Sequence, residues 1–222
     1  MAADLKIDAL FFDFDGTLGD TAPEIRGSWQ KAIAKLGLEC PDFDRIFRVG
    51  PSLQETSKML FPEAPLELRE TLQNTYRSFY DDSDLNTTRP YPWVEAVLQE
   101  FISRGKRLYI VTNKRFIPTM KLMKNFDFNK YFSGIFVPDL IPDHRLTKNE
   151  LLALAVRTAA ISPERALMIG DTELDIMAAK YANTNSCAVT WGYGDIEKLK
   201  SSQPDVMVTD NDLLRAFDRF YK

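Results

Sequence analysis

The stretch LFFDFDGTLGDT, residues 10–21, sets the problem of this chain. An apolar run ends in two carboxylates, Asp13 and Asp15, with one phenylalanine between them and Gly16-Thr17 behind. IDALFFDFD is short, apolar and rich in Ile, Leu and Phe, the pattern of a strand buried on both faces. RLYIVTN, ALMIGD, SCAVTWG and DVMVTD repeat it downstream, each closing on a polar residue or glycine. Helical patterns separate them: Val94, Val97, Leu98, Phe101 and Ile102 with Gly105 as stop, then NELLALAVRTAA, ELDIMAAKYAN and NDLLRAFDRFYK. Strand alternating with helix predicts an α/β fold, a Rossmann-like parallel sheet in a three-layer α/β/α core.

From Gly19 to Arg89 the rhythm breaks, and no strand pattern stands out. Thr21 and Glu24 have capping-box spacing ahead of Ile25, Trp29, Ile33 and Leu36, and Gly37 would end that helix. Ser52 and Glu55 repeat the spacing before Met59-Leu60, and Leu68, Leu72, Tyr76 and Phe79 mark a third helix. The expected organisation is an α/β core from residues 1–18 and 90–222, with an all-helical domain inserted at 19–89. Asp20 and Thr21 read as helix-capping residues, and Trp29 and Tyr76 as core of the inserted domain.

The 222 residues are 45% hydrophobic with a formal net charge of -4, enough for a sizeable core and without the basic stripe of a nucleic-acid binder. Cys40 and Cys187 lie far apart and read as ordinary thiols of a reducing, cytoplasmic compartment. The start MAADLKIDALFF carries an early acid and enters a strand at once, unlike a secretory leader. No apolar run is long enough to span a membrane. His144, the single histidine, reads as a surface residue of the PDHRLT loop. Oligomeric state has no signature.

Ligands of open parallel sheets bind beyond the carboxyl ends of the strands. The residues expected there are Asp13 and Asp15, then Thr112, Asn113 and Lys114, then Asp171 and Asp175, with Lys148 just before a helix. Two like charges about 4 Å apart repel by about 4 kcal/mol at an effective dielectric of about 20, so such a cluster calls for a cation. Oxygen donors without His or Cys suit a hard ion, Mg²⁺ above all, meeting a substrate phosphate. Lys148 and the Thr112 hydroxyl then supply donors to phosphate oxygens.

DFDGT, IVTN, Lys148 and GDTELD stand in the order of the four motifs of the haloacid dehalogenase superfamily, which the chain resembles over nearly its whole length. The D-x-D-G-T pattern alone occurs by chance about once in 10⁵ windows. The helical insertion is similar to the superfamily's alpha-helical cap, and RPYPWVEAVLQEFISRGKRLYIVTNK and VTWGYG resemble the phosphoglycolate phosphatase branch. The resemblance implies an enzyme, a Mg²⁺-dependent phosphatase acting on a small phosphate monoester: phosphoglycolate-like, a sugar phosphate or a nucleoside monophosphate. It implies Asp13 as nucleophile forming an aspartyl phosphate, and Asp15 as general acid and then base, with its backbone carbonyl on the metal. Thr112, Asn113, Gly16 and Thr17 would hold the phosphoryl group and Lys148 would neutralise it. Asp171 would bind the metal directly, and Asp175 would bind it through water or orient Lys148. Two departures stand out. The lysine lacks the branch's Lys-Pro-x-Pro context, which leaves Lys114 as the alternative, and Ala182-Asn183 replaces a common Ala-Gly pair. A sugar phosphomutase and a catalytically quiet binding module are the competing functions.

Overall fold

The computed structural model describes residues 7–141, 144–209 and 212–218. Residues 1–6, at the start of MAADLKIDALFF, and residue 211 with 219–222, at the ends of NDLLRAFDRFYK, lie outside them. The chain divides into two compact units, one of Met1–Asp20 and Pro90–Lys222, the other of Thr21–Arg89.

The elements run β1 Ala9–Phe12, β2 Gly19–Asp20, α1 Ala22–Lys35, α2 Phe43–Ile46, α3 Leu53–Leu60, α4 Leu66–Asp82 and β3 Arg89–Pro90. Then come α5 Val94–Ser103, β4 Arg107–Val111, α6 Phe116–Asn125, β5 Phe132–Phe136, α7 Lys148–Thr158 and β6 Ala166–Gly170. α8 Glu173–Ala182, β7 Asn185–Val189, α9 Ile196–Ser201, β8 Val206–Val208 and α10 Leu213–Asp218 complete the chain. The larger unit holds a six-stranded sheet in the order β5-β4-β1-β6-β7-β8. Its registered neighbours are parallel, with Phe12 opposite Ile110 on one side and Ile169 on the other.

β1 is central, and every one of its residues is buried, which is why IDALFF reads as a continuous apolar run. On one face Phe11 stacks on Tyr109 and joins Leu151, Leu152 and Ala155 of α7 and Ala178 and Ala179 of α8. Phe12 points the other way, onto Phe101 of α5, which in turn meets Phe217 of α10 edge-on. The result is the expected three-layer α/β/α core. Gly105 sits just past α5 at φ +72°, the left-handed conformation its stop role requires. α2, α6, α9, β5 and the two-residue strands β2 and β3, which bound the segment read as strandless, have no counterpart in the sequence expectations. β5, FSGIF, lies at the sheet edge, is only partly buried, and bears Gly134 against the Tyr109 ring, so its apolar signal is weak.

The Thr21–Arg89 unit is helical, and its core stacks Trp29 of α1 on Tyr76 of α4 at 4.5 Å. Ser52 and Glu55 form the reciprocal capping box at the start of α3. The box expected at Thr21 and Glu24 does not form: Thr21 occupies the N-cap position without a side-chain cap bond. Glu24 is taken elsewhere, accepting from Ser83 Oγ at 2.5 Å and from the Thr87 hydroxyl. The local pattern is lost to partners distant in sequence, which engage both oxygens of the Glu24 carboxylate. Asp20 is not a cap either; its carboxylate accepts from the Tyr193 hydroxyl.

Burial raises the Glu24 pKa, but the Ser83 and Thr87 donors outweigh it and leave the carboxyl below its ordinary value. A depressed folded pKa gives stability that is present above the unfolded value and lost as pH falls through the folded one. Glu24→Gln is therefore expected to cost about 1–3 kcal/mol at neutral pH, the worth of hydrogen bonds to a charged group. Urea titrations of both chains at pH 7 and at about pH 3.5 should show that deficit shrinking on acidification.

Candidate active site

The carboxyl ends of β1, β4 and β6 bring the expected residues together. Asp13 follows β1, Thr112 follows β4 and Asp171 follows β6, while Lys148 is the first residue of α7 and Asp175 lies in the first turn of α8. Asp13, Asp171 and Asp175 are all buried, and each offers a carboxylate oxygen within 4.8 Å of the others. The Lys148 ammonium sits between Asp13 and Asp175, 2.8 Å from an oxygen of each. Thr147 caps α7 through a reciprocal box with Glu150, which fixes where Lys148 leaves the backbone.

Lys114, the other candidate lysine, goes elsewhere. Its ammonium lies 2.8 Å from Asp15 Oδ1 and 3.1 Å from Oδ2. Each of the first motif's two aspartates thus has its own lysine. The Thr112 hydroxyl is buried and accepts from the Lys114 amide, and Asn113 is exposed beside it. His144 is exposed in an isolated bridge with Ile141 and takes no part.

Asp171 is closely enclosed. Thr17 Oγ1 donates to its Oδ1 at 3.2 Å, and the Tyr193 amide donates to its Oδ2 at 2.7 Å. The carboxylate and its backbone fill the space in front of three glycines. A Cβ on Gly16 would come within 2.3 Å of Asp171 Oδ2, and one on Gly192 within 2.2 Å. On Gly194 it would meet the Asp171 carbonyl oxygen at 1.8 Å. Gly16 also holds φ +76°, so glycine is required there twice over. Asp175 has both oxygens engaged, one by Lys148 and the other by the Thr172 amide and hydroxyl.

The electrostatics follow from three buried carboxylates sharing one ammonium. Burial, then the charges of Asp13 and Asp175, push Asp171 up to about 8. Asp175 is raised chiefly by burial, against the pull of Lys148. Burial alone would lower Lys148, but Asp13 and Asp175 hold its ammonium above the usual lysine range. At an effective dielectric of about 20, carboxylates 4.8 Å apart repel by about 3.5 kcal/mol per pair. Such an oxygen-only, over-charged donor set fits a hard divalent cation.

The loop after β7 carries groups at this site that spacing did not single out. Tyr193 reaches Asp171 through its amide and Asp20 through its hydroxyl, and Trp191 Nε1 donates to the Thr17 carbonyl at 3.2 Å. Two close glycines in WGYG were the signal for a tight backbone approach.

Comparison with known proteins is consistent along the chain. Residues 10–189 match the family described as haloacid dehalogenase-like hydrolase. A phosphoglycolate phosphatase of Neisseria gonorrhoeae is 33% identical, with 100% of this chain and 94% of that protein covered. A 5'-nucleotidase of Pseudomonas aeruginosa is 28% identical over 96% of both chains. A solved haloacid dehalogenase-like hydrolase from Streptococcus pneumoniae superposes with a TM-score of 0.83 at 29% identity, covering 95% of this chain and 98% of that one.

Proposed function

Since the chain belongs to the haloacid dehalogenase-like hydrolase family, we propose that it is a Mg²⁺-dependent phosphatase that cleaves small phosphate monoesters through an aspartyl phosphate on Asp13. The observation that carries this reading is the buried group of Asp13, Lys148, Asp171 and Asp175 with Asp15 two residues beyond the nucleophile. Phosphatases named for phosphoglycolate and for nucleotides are among the similar proteins, so those two ester types head the substrate class.

In this reading Asp13 attacks phosphorus while Lys148, 2.8 Å away, offsets the charge that gathers on the transferring group. The Thr112 hydroxyl, the Asn113 side chain and the Gly16–Thr17 turn donate to phosphoryl oxygens. Asp15, located by Lys114, gives a proton to the departing alcohol and then removes one from the water that releases phosphate. Asp13, the Asp15 backbone carbonyl and Asp171 would hold the metal. When bound, Mg²⁺ supplies positive charge to the ester phosphate. Asp175, with both oxygens committed, orients Lys148. The helical Thr21–Arg89 unit corresponds to the alpha-helical cap that the sequence resemblance implies. No helix among the described residues is long and apolar enough to cross a membrane, and a cytoplasmic location suits the free cysteines.

Phosphate release from a panel of phosphoglycolate, nucleoside 5′-monophosphates and sugar phosphates tests the proposal. Release is expected with Mg²⁺ and lost with chelator. An isomerised sugar phosphate without free phosphate would point to a mutase. A folded protein inert to every ester would leave only a binding module.

A further inference from the structure

Tyr193 ties the candidate metal ligand to the strand by which the chain leaves the larger unit. Its amide donates to Asp171 Oδ2 at 2.7 Å, and its hydroxyl donates to Asp20 Oδ1 at 2.6 Å. Asp20 ends β2 and is the last residue of that segment of the unit. The Tyr91 hydroxyl shares a hydrogen bond with Tyr193, and the Tyr91 amide donates to the Leu18 carbonyl at 3.1 Å. One phenol therefore meets both the departing strand and the residue that follows the returning one. Gly192 and Gly194 flank Tyr193, and neither tolerates a Cβ against Asp171. A loop with glycine on both sides has little backbone stiffness of its own. Its position rests on what its side chains hold.

We propose that Tyr193 is a positioning residue: its hydroxyl, anchored on Asp20, keeps the loop amide on Asp171 and so presets that carboxylate for a divalent cation. The inference rests on the metal-dependent reading given above. It differs from a packing role in one respect. Tyr193→Phe keeps the ring, the backbone and the amide bond to Asp171, and removes only the hydroxyl with its bonds to Asp20 and Tyr91; Asp20→Ala removes the Asp20 bond alone. Partners that orient a ligating carboxylate are worth about 10-fold or more in metal affinity.

The probe is Mn²⁺, with the free ion counted by electron paramagnetic resonance as the whole chain is titrated. Tyr193→Phe is expected to bind Mn²⁺ about 10-fold more weakly. Asp20→Ala should match it, the double variant should be no weaker than either single one, and Asp20→Asn, which keeps an acceptor, should stay near the unaltered chain. The half-saturating Mg²⁺ concentration for ester hydrolysis should rise in step, while the ester KM at saturating Mg²⁺ stays put. Equal Mn²⁺ affinity in Tyr193→Phe overturns the inference. So does additive loss in the double variant, or a rise in ester KM alone. If the unaltered chain binds no Mn²⁺, the metal-dependent reading itself falls, and this inference with it.

Discussion

Asp13→Asn is expected to lower phosphate release by a factor on the order of 10⁴ or more while leaving the protein folded. Asparagine has nearly the same shape but its amide is no nucleophile toward phosphorus. It also withdraws one anionic oxygen from the carboxylate group of Asp13, Asp171 and Asp175. The effect on stability runs the other way. Lys148 loses one partner but keeps Asp175 at 2.8 Å, and Asp171 loses a like charge that pushes its pKa up. In chelator the unfolding midpoint should therefore hold or rise. The Mg²⁺-induced rise in that midpoint should shrink, because stabilisation by a ligand follows its affinity for the folded state. Activity of the variant above about a hundredth of the unaltered chain's would remove Asp13 as nucleophile, because a lost covalent catalyst costs far more than that.

Lys148→Met should damage both activity and stability. Methionine fills much of the same volume without the ammonium. Asp13 and Asp175 then face each other, and Asp171, with no shared cation. Breaking a buried pair by removing one partner costs about 3–5 kcal/mol. Phosphate release should fall by a factor on the order of 10³, since one preorganised charge at a reacting centre is worth about that much. The stability loss should depend on pH. A carboxyl whose folded pKa is raised, as that of Asp171 is to about 8, stabilises the protein less as pH climbs through that value. In chelator the unaltered chain should thus lose stability between about pH 4 and pH 8, and Lys148→Met should lose more. Mg²⁺ should recover part of the loss in both. Denaturant midpoints at pH 5 and pH 8, with and without Mg²⁺, separate these effects. A variant as stable as the unaltered chain at pH 8 in chelator would mean that Lys148 is not the cation that balances the cluster.

Much of this was legible in the chain. The alternation of short apolar runs with helical patterns determined a parallel sheet covered on both faces, because a strand with no polar residue can be buried only on both sides. Asp13, Thr112 and Asp171 each follow a strand, and Lys148 stands at the start of a helix. That placement is local, and periodicity reports it. The helical character of residues 21–88 was visible for the same reason, through Trp29, Leu72 and Tyr76 at helical spacing.

Pairing across the chain was left to the tertiary structure. Two lysines were open for one role, and nothing near them in sequence assigns Lys114 to Asp15 and Lys148 to Asp13 and Asp175. Thr21 and Glu24 had the spacing of a capping box, yet Glu24 bonds Ser83 and Thr87, some sixty residues on. β5 was silent because an edge strand, half solvated, needs little apolar sequence. The Tyr193 loop could be read as a tight turn from its glycines, but not as the clasp on Asp171. Burial and backbone direction are written in local periodicity. The partner of a buried charge is chosen by which groups the packed sheet brings within about 3 Å, and that distance exists only in the folded chain.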